Sequence, residues 1–214
     1  MMKHKYLILV SALLVSLLFS CAPKKSEPVT ENKVDLIDIS VNTNQPVREK
    51  YQPPFDMEKL KQGFADDATS TFLGNNSIKL YEKPKEKGFF GRYHLSKYYE
   101  KDKDMFVAGS LTVFNDTTPW LYDDMTDIFI ELAVKYPGIT IFNEIEIGSD
   151  ISLVDKYLDK PFLKNDTLTV YKHGAIQMVA LFKTKDGKIR WYKYGYYNEE
   201  VVNNIEKHIP LLLD

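Results

Sequence analysis

The sequence predicts an α+β fold: a single domain over about residues 56–214, built on an antiparallel sheet of six to eight strands with helices on one side. Three observations predict it. Several short runs in the second half alternate apolar and polar residues, as strands do. The pair Asp186-Gly187 between two such runs is a tight-turn signal. Two other segments place apolar residues at helical spacing.

The elements follow in chain order. Met57-Glu-Lys-Leu-Lys-Gln-Gly-Phe64 predicts a short helix with Met57, Leu60 and Phe64 on one side. Ile78 to Glu82 reads as a strand that Pro84 ends. Arg92 to Tyr99 and Met105 to Phe114 read as a hairpin turning at Lys101 to Asp104; the second arm is apolar on both faces and therefore central. The spacing of Leu121, Met125, Ile128, Phe129, Leu132 and Tyr136 predicts a helix over 119–136. Thr118 would cap it, Pro119 start it, and Pro137-Gly138 stop it. Asp123, Asp124 and Asp127 would then lie towards its positive end.

Ile139, Ile141, Ile145 and Ile147 alternate with Thr140, Glu144 and Glu146, which predicts a strand with one wet face. A short helix over 149–159 comes next, then strands over 167–172, 176–184 and 188–197. Asn198 caps a final helix that Pro210 ends. Each half thus reads as a helix followed by three strands, and Ile78-x-Leu80-Tyr81 echoes Leu168-x-Val170-Tyr171. Two half-repeats are one organisation consistent with this pattern.

Familiar catalytic chemistry has little footing. Asp123-Asp124-Met125-Thr126-Asp127 matches a diphosphate-binding pattern of large all-helical enzymes, but here it is read as the acidic start of an amphipathic helix. His94, His173 and His208 stand apart, with no His-Glu-x-x-His. No Gly-x-Ser-x-Gly, Walker loop or Gly-x-Gly-x-x-Gly occurs. Glu144 and Glu146 are read as a solvated pair. The expectation is a protein without a cofactor, a metal or a catalytic site.

Aromatic content is high, with 14 Tyr and 12 Phe. Tyr192, Tyr194 and Tyr196 fall on one face of the last strand, and Gly88-Phe89-Phe90-Gly91 is read as a loop. These five aromatics are the candidate binding residues, because tyrosine and phenylalanine dominate interfaces. The competing reading of the Tyr face is a core covered by a helix.

The N-terminus follows a different logic. Lys3 and Lys5 precede an apolar run from Tyr6 to Phe19, shorter than a membrane-spanning helix requires, and Leu18-Phe19-Ser20-Cys21 follows. These residues resemble the signal peptide and lipobox of bacterial lipoproteins, with Phe19 departing from the usual small or aliphatic residue. The resemblance implies a signal peptide over 1–20 and diacylglycerol and acyl (palmitate-type) modification of Cys21. It also implies anchoring in the outer membrane, given Ala22 rather than Asp after the cysteine. Cys21 is the only cysteine, so no disulfide can form within the chain. Residues 21–55 then form the lipidated cysteine and a flexible, proline-interrupted tether with a reach of roughly 30 Å. Within it, Val34 to Val41 alternates enough to add an edge strand.

Losing Lys3 and Lys5 leaves 26 basic against 30 acidic residues, a formal charge of −4, and gives no reason to expect nucleic acid as a partner. Residues 148–197, from Gly148 through Lys160-Pro161 to the Asp-Gly hairpin, resemble the helix-to-sheet modules of SmpA/BamE-type lipoproteins and of β-lactamase-inhibitor-like domains. Asp159 stands where that pattern has glycine. This resemblance implies a non-catalytic protein-binding module. Asp116-Thr117-Thr118 and Asp166-Thr167-Leu168 resemble the Asp-Thr-x acceptor for O-glycosylation, which would place sugars on Thr117 and Thr167. The expected function is a membrane-anchored lipoprotein that binds another envelope protein or aids envelope assembly. The alternatives are an envelope hydrolase or glycan-processing enzyme, and an inhibitor or immunity factor.

Overall fold

The computed structural model of the chain describes residues 47–64, 71–73, 79–98, 105–115 and 127–214. All of them lie in the unit Ile39–Asp214. The lipobox at Cys21, the Val34 to Val41 stretch, the Lys101 to Asp104 turn, Thr117, and the 118–126 part of the expected helix lie outside the described residues.

The sheet comprises β1 (Thr71–Phe72), β2 (Phe89–Tyr98), β3 (Met105–Asn115), β4 (Ile128–Val134), β5 (Leu163–Lys164), β6 (Leu168–His173), β7 (Met178–Lys185) and β8 (Lys188–Tyr196). The spatial order is β1-β2-β3-β4-β8-β7-β6-β5, and neighbours run antiparallel. Two four-strand meanders therefore meet at the β4–β8 pair. Short helices accompany it: α1 (Val47–Lys50), α2 (Met57–Phe64), 3₁₀ segments at Ile151–Lys156 and Gly174–Ile176, α3 (Glu199–Asn203) and α4 (Ile205–Leu212).

Local chemistry explains much of this. The β7–β8 hairpin turns through Asp186 and Gly187 at φ 54° and 70°, the left-handed pair a two-residue hairpin turn requires. Asn198 accepts from the Val201 N–H at 2.9 Å and so starts α3. Asp150 caps the 3₁₀ segment by accepting from the Ser152 N–H at 3.0 Å. The predicted hairpin over 92–114 is β2 and β3, with β3 interior between β2 and β4.

Five expectations are corrected. First, 128–134 is not part of a helix but strand β4, with every residue buried. Ile-Phe-Ile-Glu-Leu-Ala-Val is apolar in nearly every direction, so it satisfies a helical stripe and a two-sided strand alike. Cover on both faces selects the strand, which suits its β-branched and aromatic residues. Second, the helices do not share one side. Lys61 of α2 reaches Asp127 on the tyrosine face, whereas Lys183, on the opposite face with Trp191, donates to the Leu213 carbonyl just past α4 at 3.2 Å.

Third, 139–147 is not a strand. Phe142 and Asn143 adopt φ 52° and 63°, folding the chain so that Ile141 bridges Ile145; the isoleucines are buried by a turn rather than a pleat. Fourth, Pro210 lies inside α4, and the break falls at Asn204 with φ −112° and ψ 36°. Fifth, residues 47–55, expected in the tether, are packed: Tyr51 is buried edge-on against Tyr196, and Phe55 lies edge-on to Phe129. Of the strand expected over 78–82, Ile78 lies outside the described residues, and 79–82 contribute a single bridge between Tyr81 and Tyr197.

Candidate functional site

The pairing register sorts side chains onto two faces. On one, Leu132 stands beside Tyr194, and Tyr93, Leu111, Tyr192, Tyr196 and Phe182 lie with them. On the other, Glu131 stands opposite Gly195, with Thr112, Arg92, Lys193, Trp191 and Tyr197 on the same side.

The tyrosine face is core. Tyr192, Tyr194 and Tyr196 are buried. The Tyr192 hydroxyl donates to the Ile139 carbonyl at 2.8 Å and that of Tyr196 to the Gln52 carbonyl at 3.1 Å. Tyr194 packs between the rings of Phe129 and Phe142, and burial raises its phenol to about 12. The expectation of an open recognition face at these residues is therefore corrected. The 47–55 segment and the 139–147 turn cover it, and neither carries a helical pattern in the sequence that would announce a lid. Phe89 and Phe90 are corrected as well, because they begin strand β2 rather than form a loop. Phe90 is buried against Phe114 and Tyr81, while Phe89 is exposed.

Two buried carboxylates mark the strongest polar chemistry. Asp127, just before β4, receives Lys61 Nζ at 2.6 Å, the Tyr93 hydroxyl at 3.1 Å and Asn115 Nδ2 at 2.8 Å. Lys61 is itself buried, with its ammonium 5.2 Å from the Tyr93 ring centroid. This cluster joins α2 to the sheet beneath the tyrosine face.

Glu131 anchors the second cluster on the opposite face. Its Oε1 accepts from the Tyr81 hydroxyl at 3.1 Å and its Oε2 from the Tyr197 hydroxyl at 2.6 Å. Arg92 Nη2 donates to the Tyr81 oxygen at 2.8 Å and Nε to Thr112 Oγ1 at 3.2 Å, forming a relay Arg92–Tyr81–Glu131. Burial first, and the neighbouring carboxylate second, push both phenols well above their usual range, so they stay protonated donors. Arg92 and Lys193 stand 3.7 and 4.0 Å from the two carboxylate oxygens. Gly195 makes room beside Glu131: a Cβ there would meet the Ile130 carbonyl oxygen at 2.7 Å and Glu131 Cα at 3.1 Å. The cluster can hold and orient charge; both carboxylate oxygens already accept a phenolic hydrogen.

The remaining sequence candidates are dispersed. Thr167 is exposed, and its hydroxyl donates to Asn165 Oδ1 at 3.1 Å within the loop that leads into β6. Glu144 accepts from Tyr157 and Lys156, and Glu146 from the Gly138 N–H, so they do not act as a pair. Lys50 pairs with Glu82, whose carboxyl burial holds above the usual range. Among the described residues no group of His, Cys, Asp and Glu is placed to hold a metal ion, and no helix is long and apolar enough to cross a membrane.

One end of the sheet exposes apolar side chains on both faces: the register puts Met105 and Val107 with Ser96 on the Glu131 face, and Phe106 with Lys97 on the tyrosine face. Met105 and Val107 of β3 and Tyr136 just past β4 are exposed, and the Tyr136 ring lies edge-on to Phe106 at 4.8 Å between centroids. Neither this end of the sheet nor the Glu131 cluster was singled out by sequence reasoning. For Glu131 a signal existed, since it is the one charged residue in the run Ile128–Val134. For Arg92 and Lys193 the signal was absent, because charged residues that alternate with aromatics read as a wet face. The chain matches no family model, no curated protein and no solved structure.

Proposed function

We propose that the chain is a lipid-anchored bacterial envelope protein that binds another envelope protein without catalysis, held by Cys21 to the outer membrane through a tether ending near residue 46. The observation that carries the binding reading is the exposure of Met105 and Val107, which share one face at the end of β3. Apolar side chains gathered on a surface favour burial against a partner. The internal pairing of both buried carboxylates supports a structural rather than a catalytic use of the sheet. The N-terminal reading rests on the charged start, the apolar run and the lone cysteine.

We also propose that the domain arose from two related halves. The support is the strand order, in which β1 to β4 and β5 to β8 are meanders that meet antiparallel, each preceded by a short helix. The likeness of 148–197 to inhibitor-like and SmpA/BamE-like modules belongs to the same proposal.

The test uses the full chain in a Gram-negative host. Cys21→Ser should abolish palmitate labelling and leave the precursor uncleaved or the protein outside the membrane fraction. Unchanged labelling in that variant would remove the anchor from the account. Val107→Asp should keep the melting temperature within a few degrees yet lose the proteins that co-purify from solubilised membranes; retention of all of them would remove this surface.

A further inference from the structure

The Glu131 face carries more positive charge than its carboxylate can balance. Arg92, Lys135 and Lys183 all act on Lys193 as like charges, against the attraction of Glu131. Of these, Arg92 and Lys193 themselves approach the Glu131 carboxylate, at 3.7 and 4.0 Å, in a chain whose net charge is −2. Two of the cations retain bonding capacity. Lys193 Nζ has the loose 4.0 Å approach to Glu131 and a cation–π contact with the Trp191 ring, with no hydrogen-bond acceptor among the described residues. Arg92 uses Nε and one Nη2 hydrogen internally, which leaves Nη1 unassigned. Both lie nearer the surface than the carboxylate they flank: their side chains are 28% and 11% exposed, against 2% for Glu131. The strip of sheet between them is low, because Ser110 and Ala133 are the small side chains there.

We propose that Arg92 and Lys193 form a binding site for a small oxyanion, a phosphate or carboxylate group seated over Ser110 and Ala133 with Glu131 beneath. Guanidinium and ammonium donors suit such groups, and recession of Lys193 restricts the occupant to a slender terminal anion rather than a folded surface. Burial, more than any other influence, holds Lys193 below the usual lysine range, and a bound anion would relieve that penalty. The proposal stands independently of the anchor and of the protein partner.

Trp191 offers a local reporter, since its ring lies 5.6 Å from Lys193 Nζ and 5.0 Å from Lys183 Nζ. The other tryptophan, Trp120, is replaced by phenylalanine to isolate its signal. In the full chain carrying Trp120→Phe, inorganic phosphate replaces chloride at constant ionic strength and pH 7. The expected result is a saturable change in Trp191 fluorescence. Lys193→Met should weaken apparent affinity by about tenfold or more, Lys193→Arg should retain it, and Glu131→Gln should tighten it severalfold by removing the competing charge. Opposite effects at Lys193 and Glu131 separate binding from a general change in stability. A linear response in the parent protein, or a saturable one that Lys193→Met and Glu131→Gln leave unchanged, would overturn the site. If Lys193→Met fails to fold, the parent titration and the Glu131→Gln shift decide the matter.

Discussion

Replacing Glu131 by leucine should expose how much of the fold depends on one buried carboxylate. The Tyr197 hydroxyl is fully enclosed and has Glu131 as its acceptor at 2.6 Å, so the substitution leaves a buried donor without a partner, at about 1–3 kcal/mol. Tyr81 still accepts from Arg92 but loses the acceptor for its own proton, which adds a comparable amount. Arg92 and Lys193 lose the charge between them, though partial access to water tempers that term. The sum is on the order of 3–5 kcal/mol, similar to breaking other buried pairs. For a domain of this size about 1 kcal/mol moves Tm by ~2–4 °C, so a fall of roughly 6–20 °C is expected. Glu131→Gln keeps the shape and one acceptor and should lose less than half as much. Circular dichroism melts at pH 7 measure both. A Glu131→Leu protein that melts with the parent, or melts together with Glu131→Gln, would refute the argument that phenol satisfaction sets the magnitude.

Other outcomes follow from the packing. Gly195→Ala should destabilise by about 1–3 kcal/mol, because the added methyl meets backbone of β4 that cannot withdraw; an unchanged melt would mean the strands separate freely there. Tyr192→Phe should cost about 1 kcal/mol through the lost bond to Ile139, while Tyr194→Ala should cost about 3–5 kcal/mol as a large buried truncation. A mild effect from Tyr194→Ala would return that face to the surface. Glu82, raised by burial above 4.5, binds its proton more tightly folded than unfolded. Its contribution is therefore full below pH 4.5 and is lost as pH rises through the raised value, and Glu82→Gln should remove that decline from a Tm–pH profile. Limited proteolysis should leave a core that begins near Val47 rather than Phe55, since Tyr51 and Phe55 are packed.

Sequence patterns located the last hairpin and the start of the final helix well. The Asp186-Gly187 turn, the Asn198 cap and the alternation over 188–197 are local signals, and local backbone geometry obeys them. Where the expectation of helix failed at 128–134, the information was non-local: a run apolar all round is ambiguous until the cover on each side is known. The same limit hid the candidate site. Arg92, Glu131, Lys193 and Tyr197 come from β2, β4 and β8 or just beyond it, and only the pairing of β2 through β3 with β4, and of β4 with β8, brings them together. The tyrosine face was legible as a face but not as core, because the segments that cover it, a four-residue helix running into extended chain and a turn, are too short to show a periodicity.

Site-specific photo-crosslinking at Met105 in the full chain, expressed in a Gram-negative host, tests the proposed protein binding at the apolar end of the sheet most directly. A benzophenone residue at Met105 is expected to join one envelope protein in intact cells, with the same group at exposed Asp186 on the β7–β8 turn joining none, and Val107→Asp should abolish the product. Equal labelling from both positions, or a Met105 product that survives Val107→Asp, would contradict it.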